Sequence, residues 1–142
     1  MKLVRYGDAG KEKPGILDSA GALRDLSGVV SDIDGTVLSG DGLAKIRAAD
    51  FNSLPKVSGT PRLGAPVGNI GKFVAIGLNY SDHAKEANQA IPSEPIIFMK
   101  ATSSISGAND TVVLPRGSKE SDWEVELAFV IGKTAKYVTE AD

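Results

Sequence analysis

Apolar and polar positions change their spacing several times along the chain, and each change marks an element. Leu3 and Arg5 alternate with Val4 and Tyr6, the two-residue period of a strand, until Gly7-Asp8-Ala9-Gly10 breaks the run. Pro14-Gly15-Ile16-Leu17 and Ala22-Leu23-Arg24-Asp25-Leu26 flank Asp18-Ser19-Ala20-Gly21, which has the residues of a hairpin loop. Leu43 and Ile46, three apart with Arg47 beside them, predict a helix over 43–50. Proline and glycine then crowd the stretch from about Pro55 to Gly71.

Beyond it the pattern changes. Phe73-Val74-Ala75-Ile76-Gly77 is a short buried-strand run. Asn79 with Asp82 three residues later predicts a helix start, and the helix is expected to run about ten residues to Asn88. Ile91-Pro92-Ser93-Glu94-Pro95 is a rigid loop before a strand at Ile96-Ile97-Phe98-Met99. Further strands are expected at Thr111–Leu114 and, longest of all, at Trp123–Ile131. Thr139 with Asp142 carries the start signal of another helix. These elements predict an α+β, strand-rich protein: a small N-terminal domain over 1–60, a linker over 61–71, and a second domain over 72–142.

Composition narrows the function by exclusion. The 42% hydrophobic and 24% charged content belongs to a folded chain rather than a disordered one. Sixteen Lys and Arg against eighteen Asp and Glu leave a net charge of -2 with no basic stripe, which argues against nucleic acid as a partner. No apolar run approaches the ~20 residues that span a bilayer, and Met1–Tyr6 is too short and polar for a signal peptide. Without cysteine, disulfides and thiolate metal sites are excluded. The expectation is a soluble, cytoplasmic protein.

Three segments carry candidate chemistry. On a strand over 122–132, Trp123, Val125, Leu127, Phe129 and Ile131 share one apolar face, and Glu124 and Glu126 share the other with Cβ atoms roughly 7 Å apart. Two such carboxylates reach one hard cation, and magnesium often takes only one or two protein carboxylates plus water. Taken alone, the pair also suits a solvated acidic face on an edge strand. His83, the single histidine, lies three residues before Glu86, so the two share a helical face. A carboxylate beside imidazole raises its basicity and suits it to take a proton from water, although a surface pair has the same spacing. Lys100 follows a strand and precedes small hydroxyl residues, where an ammonium can hold a carboxylate or enolate or simply face solvent.

In combination, G-x-N-Y-x-x-H-x-x-E from Gly77, P-I-I-F-M-K from Pro95 and D-W-E-V-E-L-A-F-V-I-G-K from Asp122 resemble the fumarylacetoacetate hydrolase family over about Phe73 to Asp142. The strand-rich start is similar to the small leading domain of many members. The resemblance implies a mixed β-sandwich roll of which this chain holds the first part. It also implies a Mg²⁺ or Mn²⁺ ion held by three carboxylates, a small keto-acid substrate and a homodimer. Glu124 and Glu126 match two metal ligands, His83 and Glu86 the water-activating pair on a lid helix, and Lys100 the lysine after the strand. The implied reaction is metal-dependent hydrolysis of a C–C bond in a β-diketo or 2-keto acid, and lyase, isomerase or decarboxylase reactions share its enolate chemistry. Trp123 and the leading segment look closest to bacterial diketo-deoxy-sugar-acid hydrolases, fumarylpyruvate hydrolases and ureidoglycolate lyases.

The family's third metal carboxylate falls after Asp142, and Asp122, although on the face of Glu124, does not match its position. The 142-residue chain is therefore expected to be a truncated form, inactive as it stands, and a non-catalytic dimerising remnant is an alternative. A different class is suggested by Asp32-Ile33-Asp34-Gly35-Thr36, which resembles the first motif of haloacid-dehalogenase phosphatases. The preceding strand is short and no later aspartate pair completes that site, so a polar turn between hairpin and helix is the competing explanation.

Overall fold

The computed structural model describes residues 1–141. The chain divides into two compact units, one made of Met1–Gly68 with the residues from Gly107 on, the other of Asn69–Ser106.

The first unit is built on a three-stranded antiparallel sheet in the order β1-β2-β3, with β1 Lys2–Tyr6, β2 Lys13–Leu17 and β3 Leu23–Asp25. Leu3 lies opposite Ile16 and Ile16 opposite Arg24, which fixes the register. Asp18 closes the β2–β3 loop by accepting from the amides of Ala20 and Ala22 at 3.0 and 2.8 Å, while Gly21 takes the left-handed conformation at φ 79° that an L side chain resists. The second Asp18 oxygen accepts from Arg24 Nε at 2.8 Å. Two short helices follow, α1 Gly35–Ser39 and α2 Gly42–Ala48. Asp34, in extended conformation, starts α1 by accepting from the amides of Thr36 and Val37 at 3.0 and 3.1 Å. Ile16, Leu26, Val30 and Ile46 form the core, with Leu3, Val29, Val37, Phe51 and Leu54 packed around them.

Tyr6 is buried at the end of β1, and its hydroxyl is hydrogen-bonded to Asp25. Burial first, and then the Asp25 bond and charge, push the Tyr6 phenol from 10.0 up to about 12. A raised folded-state value holds the proton in the native protein after the unfolded chain has lost it. The contribution is complete below the ordinary value of 10.0 and is lost as pH rises from there through about 12. We expect the urea midpoint to fall across that window, and Tyr6→Phe to flatten the fall that remains in wild type. Identical alkaline profiles for the two proteins would remove Tyr6 as the cause.

The second unit pairs β4 Phe73–Gly77 with β5 Ile96–Lys100 antiparallel, Phe73 opposite Lys100 and Gly77 opposite Ile96. Helix α3, Ser81–Glu86, lies in the connection, and a 3-10 turn at Thr102–Ser104 follows β5. α3 begins after Tyr80 rather than at Asn79, because the chain turns through Leu78 at φ 48° and reaches helical geometry later. It also stops short of its expected end. Asn88 adopts φ 51° and its amide donates to Lys85 O at 3.1 Å, while the Gln89 amide donates to Ala84 O at 2.8 Å. This pair of bonds closes a helix C-terminus, so Asn88 is the terminator and not part of the helix.

Two expected strands do not form. Thr111–Leu114 and Trp123–Ile131 join no ladder among the described residues, and their large apolar side chains are exposed. A strand exists only where a neighbouring backbone takes up its N–H and C=O groups, and alternation cannot supply that neighbour. Val125 at φ 49° further breaks the alternation in the longer segment. The expected helix start at Thr139 and Asp142 depends on a residue outside those described.

Candidate active site

His83 and Glu86 sit on α3, where a three-residue step places them on one face. Ala84 is the buried residue of this helix, so it anchors one side while His83 and Glu86 are exposed. The Asp82 carboxylate accepts from the His83 amide at 2.9 Å and places a negative charge in the first turn, where the helix dipole favours it. The His83 carbonyl accepts from the Ala87 amide at 2.9 Å, so the backbone of the histidine is held at both ends. Lys100 ends β5, half-buried, with Nζ 5.9 Å from the centroid of the Phe98 ring. The aromatic face holds the ammonium near the strand end. These three residues belong to the same compact unit.

Glu124 and Glu126 belong to the other unit. Both are exposed, and the left-handed Val125 between them removes the continuous strand face on which they were expected to stand. Among the described residues no three His, Asp or Glu side chains form a group able to hold a metal ion. The pair therefore lacks, among the described residues, the third ligand of the three-carboxylate site that the resemblance implies. Just past this segment, Val130 and Gly132 border a shallow apolar hollow with Leu3, Ile33, Leu38 and Leu43.

Asp32 and Asp34 carry structural duties in place of a phosphatase motif. Asp32 accepts from Arg5 Nε and Nη2 at 2.7 and 3.0 Å, a two-point ion pair. Asp34 is the α1 cap described above. Aspartate, glycine and threonine in this order are thus explained by a turn that pairs with β1 and starts a helix.

The ionic chain to which Asp32 belongs was not anticipated. Arg5 also reaches Glu12 at 3.8 Å, Glu12 accepts from Arg62 at 2.8 Å, and Arg62 donates to both oxygens of Asp110 at 2.6 Å. Arg62 holds the Asp110 carboxyl below the usual carboxylate range, assisted by the Gly107 amide, and its bond to Glu12 lowers that group as well. Apart from Arg5 and Glu12, the partners in this ionic chain lie 27 to 50 residues apart, and such separations leave no periodic trace in a sequence.

The family model for the C-terminal domain of fumarylacetoacetate (FAA) hydrolase matches residues 72–142. A Burkholderia orbicola (strain MC0-3) protein provisionally named a hydrolase is 60% identical over 141 residues, 99% of this chain and 50% of its own. A Burkholderia ambifaria (strain MC40-6) protein, also provisionally named a hydrolase, is 59% identical over the same extent. The chain thus spans about half the length of the curated relatives it matches. A crystal structure of a Mycobacterium smegmatis protein provisionally named HpcE superposes with a TM-score of 0.60 at 25% identity, over 83% of this chain and 42% of that one.

Proposed function

Because this chain belongs to the fumarylacetoacetate hydrolase family, we propose that it supplies part of the site of a divalent-metal-dependent hydrolase acting on a C–C bond of a small β-diketo or 2-keto acid. The observation that carries this reading is the family match over 72–142, with His83 and Glu86 placed together on a helix closed at its C-terminal end within that span. The relatives' names favour hydrolysis over the related lyase and isomerase reactions.

In this reading His83 takes a proton from water, and the oxygen adds to a carbonyl carbon of the substrate. The C–C bond next to that carbon breaks, its electron pair leaves on the other fragment as an enolate, and that fragment accepts the proton. The products are a carboxylic acid and a ketone. Glu86, one helical turn away on the same face, is the residue that orients the imidazole in this reading. Lys100 holds the substrate carboxylate as a fixed positive charge. Mg²⁺ or Mn²⁺ is the cofactor implied, with Glu124 and Glu126 as the ligands on offer. When bound, the ion would polarise the keto oxygens of the substrate and stabilise the enolate. A homodimer and a cytoplasmic location belong to the same proposal.

The test is loss of diketone absorbance from an acylpyruvate in the presence of Mg²⁺ or Mn²⁺. Turnover is expected from a protein extended to the relatives' length, abolished by a chelator, and absent from the 142-residue chain. Chelator-resistant turnover at the relatives' length would overturn the metal-dependent reading.

A further inference from the structure

The segment 69–106, which holds His83, Glu86 and Lys100, leaves the first unit after Gly68 and returns to it at Gly107. Both junctions are glycines pressed against the same ionic chain. A Cβ on Gly68 would lie 2.7 Å from Asp32 Oδ2 and 3.1 Å from Arg5 Cζ. One on Gly107 would collide with the Leu63 carbonyl oxygen and lie 2.9 Å from Asp110 Oδ2 and 3.0 Å from Arg62 Nη2. The backbone is bonded at the same places. The Gly68 amide donates to Ile33 O at 2.7 Å, beside a bridge between Asp34 and Gly68, and the Gly107 amide donates to Asp110 Oδ2 at 2.6 Å. Arg62 is itself anchored, donating to Gly7 O at 3.2 Å, with its carbonyl accepting from the Gly7 amide at 2.9 Å.

We propose that Arg62 and Asp110 are positioning residues that pin the return junction of the segment carrying the candidate catalytic residues. They are the distal end of one ionic chain, Asp32–Arg5–Glu12–Arg62–Asp110, whose other end pins the departure junction. Charge-assisted bonds in a two-point fork fix direction as well as distance, and the absence of a side chain at each junction lets the backbone come close enough to be held. The proposal rests on the functional reading only in calling the carried residues catalytic. The pinning is a property of the first unit and is testable without substrate.

The experiment is hydrogen exchange and amide NMR on the 142-residue chain. Asp110→Ala is expected to speed exchange of the Gly107 amide at least tenfold and to move its resonance upfield, with amides of β1–β3 unchanged. Asp110→Glu, which keeps the charge, is expected to recover most of the protection, and Arg62→Lys to fall between. An unchanged Gly107 amide in Asp110→Ala would overturn the proposal. So would an equal rise across β1–β3, which makes the pair a global stabiliser only. Failure of the hydrolase reading leaves all of these outcomes intact.

Discussion

Ile16→Ala is expected to remove about 2–5 kcal/mol of the stability of the first unit, the range for deleting a large aliphatic side chain from a packed site. Ile16 is fully buried on β2, the middle strand of its sheet, opposite Leu3 and Arg24, and belongs to the cluster with Leu26, Val30 and Ile46. That cluster is small, so few neighbours are available to collapse into the space left behind. Domains of this size have about 5–15 kcal/mol in total, and the loss takes a large share of it. Ile16→Val, which removes one methylene, is expected to cost about 0.5–1.5 kcal/mol. Urea unfolding followed by far-ultraviolet circular dichroism measures both, since Trp123 is 83% exposed and reports little on the core. Equal midpoints for wild type and Ile16→Ala would mean that the unit is held together elsewhere.

The second large effect concerns chemistry. At the relatives' length, His83→Ala is expected to lower turnover by about 10²–10⁴-fold, the usual contribution of a general base. His83 is exposed on α3, so the variant should fold and unfold like wild type. A loss of rate without a loss of stability separates a base from a packing residue. Glu86→Gln is expected to cost less, because glutamate acts through the imidazole. A wild-type rate in His83→Ala would remove the histidine from the reaction.

Elements set by local chemistry were legible in the sequence, and those set by distant partners were not. β1, β2 and β3 were readable because alternation, Asp18 and Gly21 are all local, and β4 and β5 were readable as short apolar runs between turn residues. Within the candidate site, the shared face of His83 and Glu86 follows from their spacing alone. The end of α3 was misjudged because Asn88 reads as a tolerable helix residue until its left-handed backbone is seen. Thr111–Leu114 and Trp123–Ile131 have the composition of strands, but a ladder needs a second backbone that composition cannot announce. The ionic chain from Asp32 to Asp110 was missed for the same reason. Its residues look like ordinary surface charges, and the one conspicuous string among them, Asp32 to Thr36, pointed to phosphate chemistry when its aspartates serve an ion pair and a cap.

The exposed run from Trp123 to Ile131 also bears on how the chain survives in a crowded solution. Apolar, β-prone stretches of this kind are the seeds of aggregation, and proteins restrain them with charges placed inside and beside the run. Here Asp122, Glu124 and Glu126 crowd its first half and Lys133 closes its far side. The two glutamates therefore act as gatekeepers wherever the segment is uncovered. Their like charges hinder one copy of the run from stacking in register on the next, whatever else those carboxylates come to bind.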